Sequence, residues 1–220
     1  NRMKKSPLSI IGIAILLCFL TIALLCPILA PPGYPSQGGD PYKMPHEGWT
    51  VTPSPPSKKH PFGTTTYQYD IYYGCIWGTR IAFYVGILVV GISLTVGLFL
   101  GIVSGYYGGV IDEILMRFTD IIYAFPGLIF AMALVVAFGR SLTSVLIALS
   151  LVGWPTYARV MRSEVLRVKQ EDYIEAAKAV GCSDLRVIVK HVLPNSLYSL
   201  LIMASLDIGT IVLTAAALSF

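Results

Sequence analysis

Charge is scarce in this sequence. Lys, Arg, Asp and Glu make up 13% of its 220 residues, about half the share usual in a soluble domain, which excludes a water-soluble globule as the fold. Cysteine and histidine are scarce too, with four and three copies. Cys18 and Cys26 lie in the first apolar block, Cys75 in what reads as a polar loop and Cys182 in a basic segment. His46, His60 and His191 are far apart and pair with none of them, so neither a disulfide framework nor a metal-ligand spacing is present. No G-x-x-x-x-G-K-[ST] pattern occurs, and without it the chain does not cradle nucleotide phosphates in the P-loop manner. Residue-by-residue alternation of apolar and polar positions is also lacking, which excludes a membrane barrel.

What is present is a set of apolar blocks, each long enough as a helix to cross a hydrocarbon core of about 30 Å. The first covers residues 10–30, follows Arg2, Lys4 and Lys5, and closes at Pro31-Pro32. It is longer than a signal-peptide core and lacks a small-residue cleavage site, so it reads as a retained span. A stretch rich in Pro, Gly, Tyr and Ser follows, which predicts irregular extended backbone in an external loop. The second span covers residues 81–106 and the third 121–139, with Pro126 as a kink or entry point. Arg140 and Ser141 mark a tight turn, and the fourth span covers 142–158 with Pro155 in its last turn. A fifth begins near Leu193 and is still apolar at Phe220, so a sixth is expected beyond it. The reading is an all-α, polytopic transmembrane helical bundle in three stretches: 1–30, a loop over 31–80, and a core over 81–220.

Orientation follows from the basic residues. With the N-terminus inside, Arg2, Lys4, Lys5, Arg117, Arg159, Arg162, Arg167, Lys169, Lys178, Arg186 and Lys190 fall on inner segments, eleven of the sixteen Lys and Arg. The positive-inside rule then places the N-terminus in the cytoplasm of a cell (plasma) membrane protein, and accounts for the net charge of +4 without nucleic acid. Gly97, Gly101 and Gly105 share one helix face at four-residue spacing, a smooth stripe suited to helix packing. Asp207 lies deep in the fifth block, where a charge costs about 3 kcal/mol, so it serves either a pathway or gate or a helix–helix hydrogen bond.

The most informative stretch lies between the fourth and fifth spans, over 160–192. Tyr173, Ala176, Ala177 and Val180 recur at helical spacing, Gly181 stands where a left-handed C-terminal residue is wanted, and Ser183 offers an oxygen to cap the next helix. A helix this short is marginal alone and needs a partner to pack on.

Glu175-Ala176-Ala177, three residues, Gly181 and then Leu193-Pro194 resemble the EAA loop of permeases in binding-protein-dependent ABC importers. Lys190-His191-Val192-Leu193-Pro194-Asn195 is similar to the Arg-His-Ile-Leu-Pro-Asn run of the oligopeptide/dipeptide branch. His60-Pro61-Phe62-Gly63-Thr64, Gly105-Tyr106-Tyr107-Gly108-Gly109 with Asp112, and Gly153-Trp154-Pro155-Thr156-Tyr157-Ala158-Arg159 extend the resemblance. Two places depart from it: Tyr67-Gln68-Tyr69-Asp70 stands where the branch has Gly-Arg-Asp, and Ala215 where it has Glu.

The resemblance implies a permease subunit whose EAA loop is a coupling helix, with Tyr173, Glu175, Ala176, Ala177, Gly181 and Asp184 as ATPase contacts. It further implies a second homologous permease, two ATPase subunits carrying ATP and Mg, an extracytoplasmic substrate-binding protein, and no cofactor on this chain. Peptides are the substrate of that branch, and oligosaccharides or metal complexes those of related permeases. Two rivals differ in class. A secondary carrier would place several ionisable groups inside its spans, and a membrane enzyme would bring together a nucleophile, a base or metal ligands; Asp207 alone matches neither.

Overall fold

The computed structural model describes residues 7–218. Arg2, Lys4 and Lys5, counted with the inner flank, and Phe220, where the last apolar block is still open, lie outside the described residues. Eight α-helices are named here: α1 (Pro7–Leu29), α2 (Ile71–Tyr107), α3 (Gly109–Tyr123), α4 (Gly127–Phe138), α5 (Leu142–Lys169), α6 (Asp172–Ala179), α7 (Asp184–Val187) and α8 (Leu193–Leu218). Among the described residues there is no strand, only isolated bridges joining His46 to Tyr69 and Thr64 to Asp70. Four helical stretches are long and apolar enough to cross a membrane, namely α1, α2, α5 and Asp184–Leu218, and α3 with α4 makes a fifth, broken one.

The chain divides into two compact units, the first ending at Tyr84 and the second beginning at Val85. In the first, the segment between α1 and α2 has irregular backbone apart from short turns at Pro35–Gln37 and Thr66–Gln68, and named side chains tie it together. Gln37 is buried, accepts from the Gly33 and Tyr34 N–H groups at 2.9 and 3.1 Å and donates to the Lys43 carbonyl at 2.9 Å. Lys59 donates to Glu47 at 2.8 Å and thereby holds that carboxyl below the usual range. Asp70 is hydrogen-bonded to His60 Nδ1 at 2.8 Å and accepts from the Tyr73 N–H at 3.1 Å, so it caps the start of α2. α2 therefore begins at Ile71 rather than at Ile81, and Cys75 lies in a helix, not a loop. Hydropathy misses these turns because Tyr72, Tyr73 and Trp77 face the loop and α1, where the Trp77 indole donates to the Ala30 carbonyl at 2.9 Å. At the departure from the family pattern, Tyr67 and Gln68 hold φ of 65° and 63°, a left-handed region that glycine occupies at no cost. The Gln68 amide offsets this by donating to the Thr50 hydroxyl and the Thr52 carbonyl at 2.7 and 2.6 Å.

In the second unit, the face of α2 that carries the glycines lies on α5. Ser93 donates to the Ser150 carbonyl at 3.4 Å, Gly97 lies against Trp154, Tyr157 and Ala158, Gly101 against Ala158, Met161 and Arg162, and Gly105 against Arg162 and Val165. The two residue numbers climb together, so α2 and α5 run parallel. Parallel helices need a crossing segment between them, and α3–α4 supplies it with a bend of 82°. A single third span over 121–139 is thus replaced by two helices broken at 124–126, with Pro126 at the N-cap of α4. At 12 residues, α4 is too short to cross a bilayer alone. Gly127 lies against Val152 while Ser144 donates to the Phe138 carbonyl at 3.4 Å, so α4 runs antiparallel to α5. Ser141 caps α5, accepting from the Ser144 N–H at 3.1 Å. Pro155 is internal to α5, which continues to Lys169.

α8 returns along α5 in the opposite sense, with Glu164 bonded to Ser199 and Tyr157 to Asp207. Between α7 and α8 the residues Ile188–Val192 form one turn of π-helix, with the Leu193 N–H reaching the Ile188 carbonyl. The widened turn answers Pro194, which lacks an N–H and whose ring would press on the carbonyl of Lys190 in a regular helix. Asn195 then donates from its side chain to the His191 carbonyl at 2.6 Å.

Candidate functional site

α6 is an eight-residue helix between the end of α5 and the start of α7. Its charges suit its ends: Asp172 and Glu175 sit in the first turn and Lys178 in the last, each opposing the partial charge of the helix terminus. The C-terminus closes in a Schellman turn. The Gly181 N–H reaches the Lys178 carbonyl at 2.9 Å and the Cys182 N–H the Ala177 carbonyl at 3.1 Å, with Gly181 at φ 81°. Ser183 stands at the N-cap of α7, but its side chain makes no capping bond; its backbone carbonyl accepts from the Val187 N–H at 3.0 Å instead.

The apolar residues of α6 divide between two sides. Ile174, 1% exposed, joins a core cluster with Val165, Val168, Val187, Ile188 and Val192, and Ala177 packs against the same cluster. The anchor is thus Ile174, which lies off the Tyr173–Ala176–Val180 face, and Ala177 leaves that face to join it. Tyr173, Glu175 and Ala176 are exposed. Val180 at 80% and Leu185 at 71% exposure extend this free apolar surface onto α7.

Asp184 is turned toward its own chain. The Tyr106 hydroxyl donates to its Oδ1 at 2.6 Å. The Tyr106 carbonyl accepts from Lys169 Nζ at 2.7 Å, and the ammonium groups of Lys178 and Lys169 lie 5.0 and 5.7 Å from the centre of the Tyr106 ring. The last turn of α2 therefore meets α5, α6 and α7 at one buried tyrosine. Nothing local in the sequence marks this role, since Tyr106 and Asp184 are far apart in the chain.

Further along α5, the residues read as topology anchors are paired. Arg162 donates from Nε to Asp112 Oδ1 at 2.6 Å and from Nη2 to Oδ2 at 2.5 Å, and Ser104 also donates to Asp112. Arg159 donates to Asp120 at 2.6 Å and lies over the Tyr123 ring at 4.3 Å. α3 is held across α5 by these two pairs. Asp207, for which sequence reasoning finds no partner, accepts from the Tyr157 hydroxyl at 2.8 Å.

Comparison with known proteins settles the family. Residues 97–220 match the family described as "Binding-protein-dependent transport system inner membrane component". The chain belongs to this family. Residues 1–45 of this permease also match the "N-terminal TM domain of oligopeptide transport permease C". Over 220 residues it is 37% identical to the "Dipeptide transport system permease protein DppC" of Alkalihalophilus pseudofirmus, covering 100% of this chain and 69% of that one. It is 31% identical to the "Oligopeptide transport system permease protein OppC" of Bacillus subtilis, covering 100% and 68%. The permease also shares its fold with the "Crystal structure of an amino acid ABC transporter with histidines" at 17% identity and a TM-score of 0.51, over 63% of this chain and 67% of that one. It is an integral membrane transport subunit of the ABC permease type, not an enzyme.

Proposed function

We propose that this permease lines one side of the substrate pathway of an ATP-driven importer and is driven through α6, which docks on a separate ATPase subunit. The observation that carries this reading is the two-sided build of α6. Ile174 fixes the helix to the body of the chain, while Ala176, Val180 and Leu185 remain free and Tyr173 stays exposed beside the His191 ring. Turning a two-state equilibrium from 1:99 to 99:1 takes about 5.5 kcal/mol. One exposed ion pair at Glu175 gives about 0 to 1 kcal/mol, so docking must also bury apolar area, which is what those side chains offer.

The assembly so implied contains a second homologous permease, two ATPase subunits that hold ATP and Mg, and an extracytoplasmic substrate-binding protein. The N-terminus is cytoplasmic in a cell membrane, as the basic residues favour. Dipeptides or oligopeptides are the substrate class, on the strength of the relatives' names. For Asp207, the bond from Tyr157 favours helix packing over a gate.

Replacing Ala176 with Arg sets a long charged group on the free face without touching Ile174. In the assembled importer it should release the ATPase subunits and abolish uptake while the permease stays in the membrane. Retention of the ATPase by that variant would sink the docking model. Uptake that survives ATP depletion would likewise count against it.

A further inference from the structure

We propose that Tyr106 is the positioning residue through which α6 and α7 move α2. The inference rests on the docking role of α6 and goes beyond it by naming the route that the movement takes into the bundle.

The glycine stripe makes α2 and α5 one body, because their backbones touch at Gly97, Gly101 and Gly105. Tyr106 follows the last of these glycines and is itself 4% exposed. It is therefore fixed to that body, not swinging from a loop. The α6 and α7 segment is attached differently. It leaves α5 at Gln170, is punctuated by the left-handed Gly181, runs on from α7 through Ile188–Val192 into α8, and touches the α2–α5 body through apolar contacts around Ile174 and polar contacts at Tyr106. Apolar contacts tolerate sliding, since they have no preferred direction. The Tyr106 contacts are directional. The hydroxyl donates to Asp184 at 2.6 Å, and the ring faces Lys178 from the last turn of α6. A displacement of α6 and α7 together either carries Tyr106 along or breaks a short hydrogen bond to a carboxylate. Lys169 ties the Tyr106 carbonyl to the end of α5 at 2.7 Å, so the displacement reaches both helices of the pair.

The test uses the complete importer, with the full-length permease and all its partners, in proteoliposomes, reading substrate uptake per ATP hydrolysed and the ATPase that co-purifies. Tyr106→Phe keeps the ring and the lysine contacts and removes the bond to Asp184. It should retain the ATPase but lower uptake per ATP by about tenfold, the change that one hydrogen bond to a charged group supports. Asp184→Ala should do the same from the other side, and the double variant should be no worse than either single one. Asp184→Asn keeps an acceptor and should stay near wild type. An unchanged uptake-to-ATP ratio in both Tyr106→Phe and Asp184→Ala overturns the proposal. So does a loss confined to the yield of folded complex, because a merely structural tyrosine lowers the amount and not the ratio. Ala176→Arg in the same assay separates the two readings. If it releases the ATPase while the Tyr106 variants keep the wild-type ratio, the Tyr106 route alone fails. If it leaves binding and ratio intact, the docking reading fails and the Tyr106 route with it.

Discussion

At Gly97, Gly101 and Gly105 a hydrogen in place of a side chain lets two helix backbones touch. A methyl at Gly97 would stand 2.4 Å from the Tyr157 Cβ and 2.8 Å from the Ala158 nitrogen, and one at Gly101 would stand 2.6 Å from the Ala158 carbonyl oxygen. These neighbours are backbone or Cβ atoms and cannot turn aside. Gly101→Ala is therefore expected to destabilise the permease by about 1–3 kcal/mol, seen as a lower unfolding midpoint in detergent. Gly91 lies in the same helix with open space around its Cβ position. Its replacement by Ala should be neutral, or stabilising by about 0.5–1 kcal/mol, because alanine loses less backbone entropy in a helix. Equal effects at the two sites would contradict the packing described.

At the scale of elements, Gly181 shows why a backbone angle can matter more than space. No atom lies within 4 Å of a Cβ built there, yet φ is 81°. A β-branched residue is strained at such an angle by about 1–2 kcal/mol whatever the room. Gly181→Val should therefore loosen the turn between α6 and α7 and lower transport, whereas Gly181→Asn, which visits that region more readily, should retain most of it. Hydrogen exchange over 172–187 would report the loosening directly; equal protection in the two variants would rule the turn out as the cause. The π-helical turn at Ile188–Val192 follows the same logic. A proline sets a local constraint, the backbone widens by one turn to meet it, and the Asn195 side chain adds a bond to the His191 carbonyl next to it.

At the scale of the whole molecule, the parallel α2–α5 pair and the antiparallel α8 put the end of α2, the end of α5 and all of α6 and α7 at one end of the second unit. If that end is cytoplasmic, a single cysteine at Ser183 is labelled by an impermeant thiol reagent from the inside, and one at Ser54 from the outside, with the native cysteines removed. The reverse pattern would refute the orientation read from the basic residues. The bundle and the EAA-like stretch were legible in the sequence because both are local. A span is a run of apolar residues, and the Schellman glycine follows directly on the helix that it ends. The start of α2 was missed because its first turns are faced by tyrosines and a tryptophan that hydropathy counts as loop. The broken α3–α4 crossing was missed because nothing in an apolar run reports a bend of 82°. That this chain is helical, membrane-embedded and equipped with a short helix closed by glycine can be read from neighbours along the chain, since each of these is a local property. That Ile174 anchors this helix, that Tyr106 meets Asp184 and that Tyr157 is the partner of Asp207 emerges from the packed bundle alone, because contacts between residues distant in the chain depend on how whole helices pack.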